Sequence, residues 1–107
     1  MSKITQYEQL VAQARDNVKR KDYLKAIELY QKAFFIQIRV EDLLDYGYIY
    51  IDLGEYKDAR EIFLSAIDIA PRETQALYAL GLVYQDLGEL SKAKNAYKRA
   101  LDVNPDF

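Results

Sequence analysis

At 107 residues, half of them apolar, the chain is long enough for one small domain with a modest packed core. It has neither cysteine nor histidine, which excludes a disulfide framework, a thiolate nucleophile, a cysteine-ligated metal and the usual general base near neutral pH. The net charge of −2 is unevenly spread: residues 1–40 carry eight basic and four acidic groups, residues 41–73 three and nine, and residues 74–107 four of each. The basic cluster Lys19, Arg20, Lys21 falls where a helix is expected to end, a place that suits cations, so no nucleic-acid partner is expected of an acidic chain. The opening MSKITQYEQL has no apolar signal core, and no apolar run approaches the roughly 20 residues that span a bilayer. The expectation is a soluble, cytoplasmic protein with no membrane partner.

In chain order, Thr5 with Glu8 has the form of a capping box, predicting a helix from about residue 6 to Arg20. Asp22 suits the N-cap region of a second helix ending near Ile36. A third runs over 40–53 and stops at Gly54, a fourth ends at Pro71, a fifth stops at Gly88, and a sixth covers 89–103 before Pro105. Each glycine follows a periodic apolar run and predicts a left-handed stop. Each proline drives the residue before it, Ala70 or Asn104, out of helical geometry. No strand pattern interrupts the series, so the fold class is all-α.

The chain also repeats itself. GEYKDAREIFLSAIDIAP at 54–71 returns as GELSKAKNAYKRALDVNP at 88–105, and KDYLKAIELYQKAFFIQI at 21–38 is an earlier, blurred copy. The copies keep Ala26, Ala59 and Ala93, an aromatic four residues on (Tyr30, Phe63, Tyr97), and Ala33, Ala66 and Ala100 three after that. Upstream stand Leu43, Tyr46, Gly47, Tyr50 and, 34 positions later, Leu77, Leu80, Gly81, Tyr84, each set on one helical face. Small residues at Gly47 and Gly81 let two helices approach closely, with Phe63 and Tyr97 beside them. Enlarging Gly81 to Val is therefore expected to overpack the hairpin by roughly 1–3 kcal/mol.

This 34-residue pattern resembles the tetratricopeptide repeat. The match runs through Leu43, Tyr46, Gly47, Tyr50, Ala59, Phe63, Ala66, Pro71 and again through Leu77, Leu80, Gly81, Tyr84, Ala93, Tyr97, Ala100, Pro105. The first copy departs at Gln13, Asn17 and Ile38. The resemblance implies a right-handed α-solenoid of three helix-turn-helix hairpins in a single domain over 1–107, with repeats at about 7–39, 40–73 and 74–107.

In the family the first helix of each repeat lines a concave groove. Carried over, the lining is Glu8, Val11, Arg15, Val18 and Lys19, then Glu41, Leu44, Tyr48, Ile51 and Asp52, then Gln75, Tyr78, Leu82, Gln85 and Asp86, of which Arg15, Leu44, Tyr48, Ile51, Asp52, Tyr78, Leu82, Gln85 and Asp86 are the candidate ligand contacts. Residues 44, 48 and 51 form a stripe beside 43, 46, 47 and 50, so helix 40–53 is apolar on two sides, more than one buried face requires. Two readings stand: these side chains receive a peptide or helix, or they pack between repeats. Asp52 and Asp86 recur in the last turn of a first helix, where an anion opposes the helix dipole. That repetition points to an acidic rim for a ligand's Lys or Arg, or to two solvated acids.

Some family members grip acidic chaperone tails with a carboxylate clamp. The matching positions are Val11, Arg15, Asp45, Gln75 and Ala79, of which only Arg15 suits an anion, so no such clamp is expected. No acid pairs with a nucleophile, a phosphate-binding loop or a metal-ligand motif, so no catalytic, cofactor or metal site is expected. Helix 89–103 presents apolar Tyr97 and Leu101 at the end of the array, where the expectation is either a longer array or cover by another copy of the chain, and Phe35 stands where the family usually has a polar residue. These three are candidate contacts in a homo-oligomer. The sequence thus predicts a non-catalytic scaffold that binds a protein or peptide ligand. The alternatives are a self-assembly module and the regulatory segment of a larger enzyme.

Overall fold

The computed structural model describes residues 2–107. Among them the chain forms α1 (Lys3–Lys19), α2 (Tyr23–Ile36), α3 (Val40–Asp52), α4 (Tyr56–Ile69), α5 (Thr74–Asp86) and α6 (Leu90–Val103), with no strand. Two compact units result, the first ending at Asp42 and the second running Leu43–Phe107.

In the first unit α1 packs on α2. The helix starts earlier than the Thr5–Glu8 pattern predicted, because Ser2 is the N-cap: its Oγ accepts from the Thr5 amide at 3.1 Å, leaving Thr5 inside the first turn. The α1–α2 turn holds a feature that composition hides. Lys21 sits at φ 62, in the left-handed region, at the register that Gly54 (φ 75) and Gly88 (φ 79) fill in the later copies. All three turns close the same way. The Lys21, Gly54 and Gly88 amides donate to Val18, Ile51 and Gln85 carbonyls at 2.9–3.0 Å, and the next amides reach back to Asn17, Tyr50 and Tyr84 at 2.8 Å. This double closure satisfies the carbonyls that a helix end leaves open. A β-carbon in that region is strained, whereas glycine is not. Lys21→Gly is expected to stabilise the chain by about 0.5–1 kcal/mol, after the greater freedom of glycine in the unfolded state is subtracted. A denaturant midpoint that fails to rise contradicts this.

In the second unit α4 packs on α5 and α5 on α6. The small residues act as expected. A β-carbon at Gly47 would lie 2.6 Å from the Phe63 ring, and one at Gly81 would lie 2.5 Å from the Tyr97 ring. Ala59, Phe63, Ala66, Leu77 and Val83 are buried around these approaches, and Ala93, Ala96 and Ala100 continue the pattern on α6. Before each proline the helix ends in non-helical backbone, at Ala70 (φ −135, ψ 85) and Asn104 (φ −137, ψ 95).

Candidate functional site

On α5, Tyr78, Leu82 and Gln85 follow one another at helical spacing of four and three, which puts them on one face. Tyr97, Ala100 and Leu101 of α6 stand opposite, and Phe107 adds its ring. Together they line an open, largely apolar cleft of about 400 Å³. Gly81 creates the room in which Tyr97 lies against α5, and the Tyr97 hydroxyl then donates to Gln85 Oε1 at 2.9 Å. The Tyr78 ring tilts against Tyr97 at 5.4 Å and meets Phe107 edge-on at 5.2 Å. Burial, followed by the nearby Tyr78 and Asp86, pushes the Tyr97 hydroxyl above its ordinary range. It is therefore a neutral donor at neutral pH, and the cleft offers aromatic faces with few polar groups at its edge.

The lining predicted from sequence separates in three ways. Tyr78, Leu82 and Gln85 line the cleft together, with Asp86 exposed beside them in the last turn of α5. Tyr48 and Ile51 are half-buried on α3. The Tyr48 ring meets Phe63 edge-on at 5.4 Å, and burial chiefly raises its hydroxyl, with Gln75 bonding to it and Tyr78 near enough to act on it. Asp52 is exposed in the last turn of α3.

Leu44 and Arg15 stand outside this cleft. Leu44 is only 8% exposed and packs in the core. Arg15 is committed within the first unit, where its Nη2 donates to Asp42 Oδ1 at 2.7 Å.

The three suggested oligomer contacts also divide. Phe35 is 95% exposed and Leu101 about half exposed. Tyr97 and Leu101 line the cleft, and they also line a second, open apolar hollow of about 500 Å³ with Leu90, Ala93, Lys94 and Lys98.

Sequence reasoning missed Phe107, and it missed the polar cluster of the first unit. There Asp42, 2% exposed, accepts from the Tyr7 hydroxyl through Oδ2 and from Arg15 through Oδ1, while the Arg39 guanidinium lies 4.8 Å above the Tyr7 ring. Burial and the bond to Asp42 hold the Tyr7 hydroxyl well above its usual range, so it stays a donor. One signal was available: Asp42 occupies the register at which the last repeat has fully buried Ala76. The cluster satisfies its own charges, as a buried carboxylate must, and is a structural tie.

Comparison with known proteins agrees with this architecture. A family model described as tetratricopeptide repeat matches residues 74–107, and a second, described as TPR repeat, matches residues 47–88. No curated protein matches the chain by sequence. Among solved structures, MamA from Desulfovibrio magneticus RS-1 aligns at 24% identity and TM-score 0.85 over 94% of this chain and 58% of its own. The chain thus spans less than two thirds of that structure. The first TPR of Spaghetti (RPAP3), bound to the HSP90 peptide SRMEEVD, aligns at 21% identity and TM-score 0.89, covering 96% of this chain and 82% of that one. The Sgt2 TPR domain from Aspergillus fumigatus aligns at 27% identity and TM-score 0.84, covering 92% and 66%. These likenesses place the fold in the all-α helical-repeat class. No described helix is long and apolar enough to cross a membrane.

Proposed function

Because the chain belongs to the tetratricopeptide repeat family, a family of interaction modules, we propose that it is a non-catalytic scaffold whose second unit receives an apolar peptide or helix. The observation that carries this reading is the open aromatic cleft of Tyr78, Leu82, Gln85, Tyr97, Leu101 and Phe107. Ligand sites are concave and mostly apolar, with a few placed polar groups, and this cleft has that character. Its acceptance of the Phe107 ring against Tyr78 is a model for the side chain a ligand would insert. Asp52 and Asp86 extend the site as an acidic rim suited to Lys or Arg, while Tyr48 and Ile51 add apolar surface. Peptides selected on the folded protein from a random display library are expected to combine an aromatic or large aliphatic residue with a nearby cation. A selected set without such residues overturns the reading.

The neighbour's ligand supplies a further check. Val11 and Ala79 are buried, Asp45 is acidic, and Arg15 is engaged by Asp42, so the clamp positions offer an acidic tail no set of free cations. The peptide SRMEEVD is expected to show no saturable binding by fluorescence anisotropy up to about 1 mM, the weak end of measurable affinity. Saturable binding contradicts that expectation.

Self-assembly is a second reading, favoured by the outward face of α6, where Leu90 and Leu101 are exposed beside Tyr97.

A further inference from the structure

The first unit carries an outward stripe, apolar at both ends and polar in the middle, that its core does not use. On α2 the buried residues Ala26, Leu29, Tyr30 and Ala33 define the face packed on α1. At about 100° per residue, Leu24, Glu28, Gln31 and Phe35 fall on the opposite pole. Leu24 is 79% exposed and Phe35 95% exposed, one at each end of the helix. The other two repeats serve as internal controls. The register of Leu24 holds Lys57 and Ser91, and that of Phe35 holds Asp68 and Asp102, all exposed. Where the repeat needs only a solvated outer face, it takes polar residues. Only in α2 are both ends apolar, so the departure is specific to this helix.

We infer that this stripe is the docking surface for a second copy of the chain, paired antiparallel through α2. The pattern is self-complementary about a two-fold axis placed between Leu29 and Tyr30. In that arrangement Leu24 faces Phe35 of the second copy at both ends, and Glu28 faces Gln31 in the middle, as an isologous interface requires. The charges agree. Within one copy Lys32 Nζ lies 3.3 Å from Glu28 and Lys25 Nζ lies 3.7 Å from it. Antiparallel pairing brings Lys32 of the second copy beside Glu28, and the reciprocal pair forms by symmetry. A stripe that carries both signs offers no net attraction to a purely anionic or cationic partner, which favours a copy of itself over a membrane surface or a charged peptide. The helix is about 21 Å long, so the interface is at the small end and the dimer is weak. A dissociation constant on the order of 10–100 µM is expected.

This surface is distinct from the α6 face of the self-assembly reading, and one experiment separates them. Sedimentation equilibrium of the whole chain from about 5 µM to about 1 mM is expected to show the mass rising from 12.5 kDa toward twice that value. Leu24→Lys with Phe35→Asp, which installs residue types found at these registers in the other repeats, is expected to weaken association at least tenfold at an unchanged helical circular dichroism signal. Glu28→Lys alone and Lys32→Glu alone should each weaken it, and the two together should restore it. A wild-type chain that stays monomeric throughout overturns this inference and the self-assembly reading together. Association that survives Leu24→Lys/Phe35→Asp but is lost in Tyr97→Ser/Leu101→Asp overturns the α2 surface and leaves self-assembly through α6. Failure of the charge swap to restore association overturns the antiparallel pairing.

Discussion

Gly47→Val is expected to lower stability by about 3 kcal/mol, well above the loss from the same change at Gly81. A β-carbon there would stand 2.6, 2.9 and 3.0 Å from three atoms of the Phe63 ring. That ring is fully buried and held edge-on by Tyr48 at 5.4 Å, so it has nowhere to move. The gain from replacing a helical glycine offsets less than 1 kcal/mol of this. Gly81 makes an equally close approach, to Tyr97, but Tyr97 is only half-buried and borders the open cleft. Its ring can swing outward, so Gly81→Val should cost about 1 kcal/mol, the lower end of the range expected from sequence. Urea unfolding of the two variants gives the comparison directly. Equal losses, or a larger loss at Gly81, contradict this account of the packing.

Asp42→Ala is expected to cost about 2–4 kcal/mol. It strips the buried Tyr7 hydroxyl of its acceptor and Arg15 of its carboxylate. The Arg15 side chain is half exposed, so water recovers part of its loss, and the Tyr7 hydroxyl accounts for most of the penalty. Asp42→Asn, which keeps an acceptor and loses only the charge, should cost about half as much or less. Tyr7→Phe in the Asp42→Ala background should then add little, because the hydroxyl it removes has already lost its acceptor. Denaturant midpoints for Asp42→Ala, Tyr7→Phe and the double variant test the cycle. Additive losses from Asp42→Ala and Tyr7→Phe would mean that the two side chains act independently.

The two cases show what the sequence could and could not disclose. Gly47, Gly81, Gly54, Gly88 and the prolines act through local or repeat-spaced contacts. Their roles appear as periodicity, and the helices they delimit were legible almost to the residue. Lys21 was not, because its left-handed backbone is imposed by the repeat's turn on a residue that carries no glycine signal. Asp42 was not, because its partners Tyr7 and Arg15 lie 35 and 27 positions away and follow no period. In the candidate site, Tyr78, Leu82 and Gln85 were named through the family resemblance, and their helical spacing puts them on one face of α5. Leu44 occupies the equivalent stripe on α3 yet is buried, since spacing fixes a helical face and not the burial of that face. Phe107 follows the last helix, where no periodicity reaches it.

The central claim is that the second unit binds through its aromatic cleft. Its most direct test is the affinity of the strongest library-selected peptide for the wild-type chain and for Leu82→Asp, with Leu24→Lys/Phe35→Asp as the control. A single charge introduced into the floor of an apolar site should weaken binding at least tenfold, about 1.4 kcal/mol or more, while the α2 variant binds as the wild type does. Equal affinity for the wild-type and Leu82→Asp proteins, both folded by circular dichroism, would place the binding surface elsewhere and contradict the account.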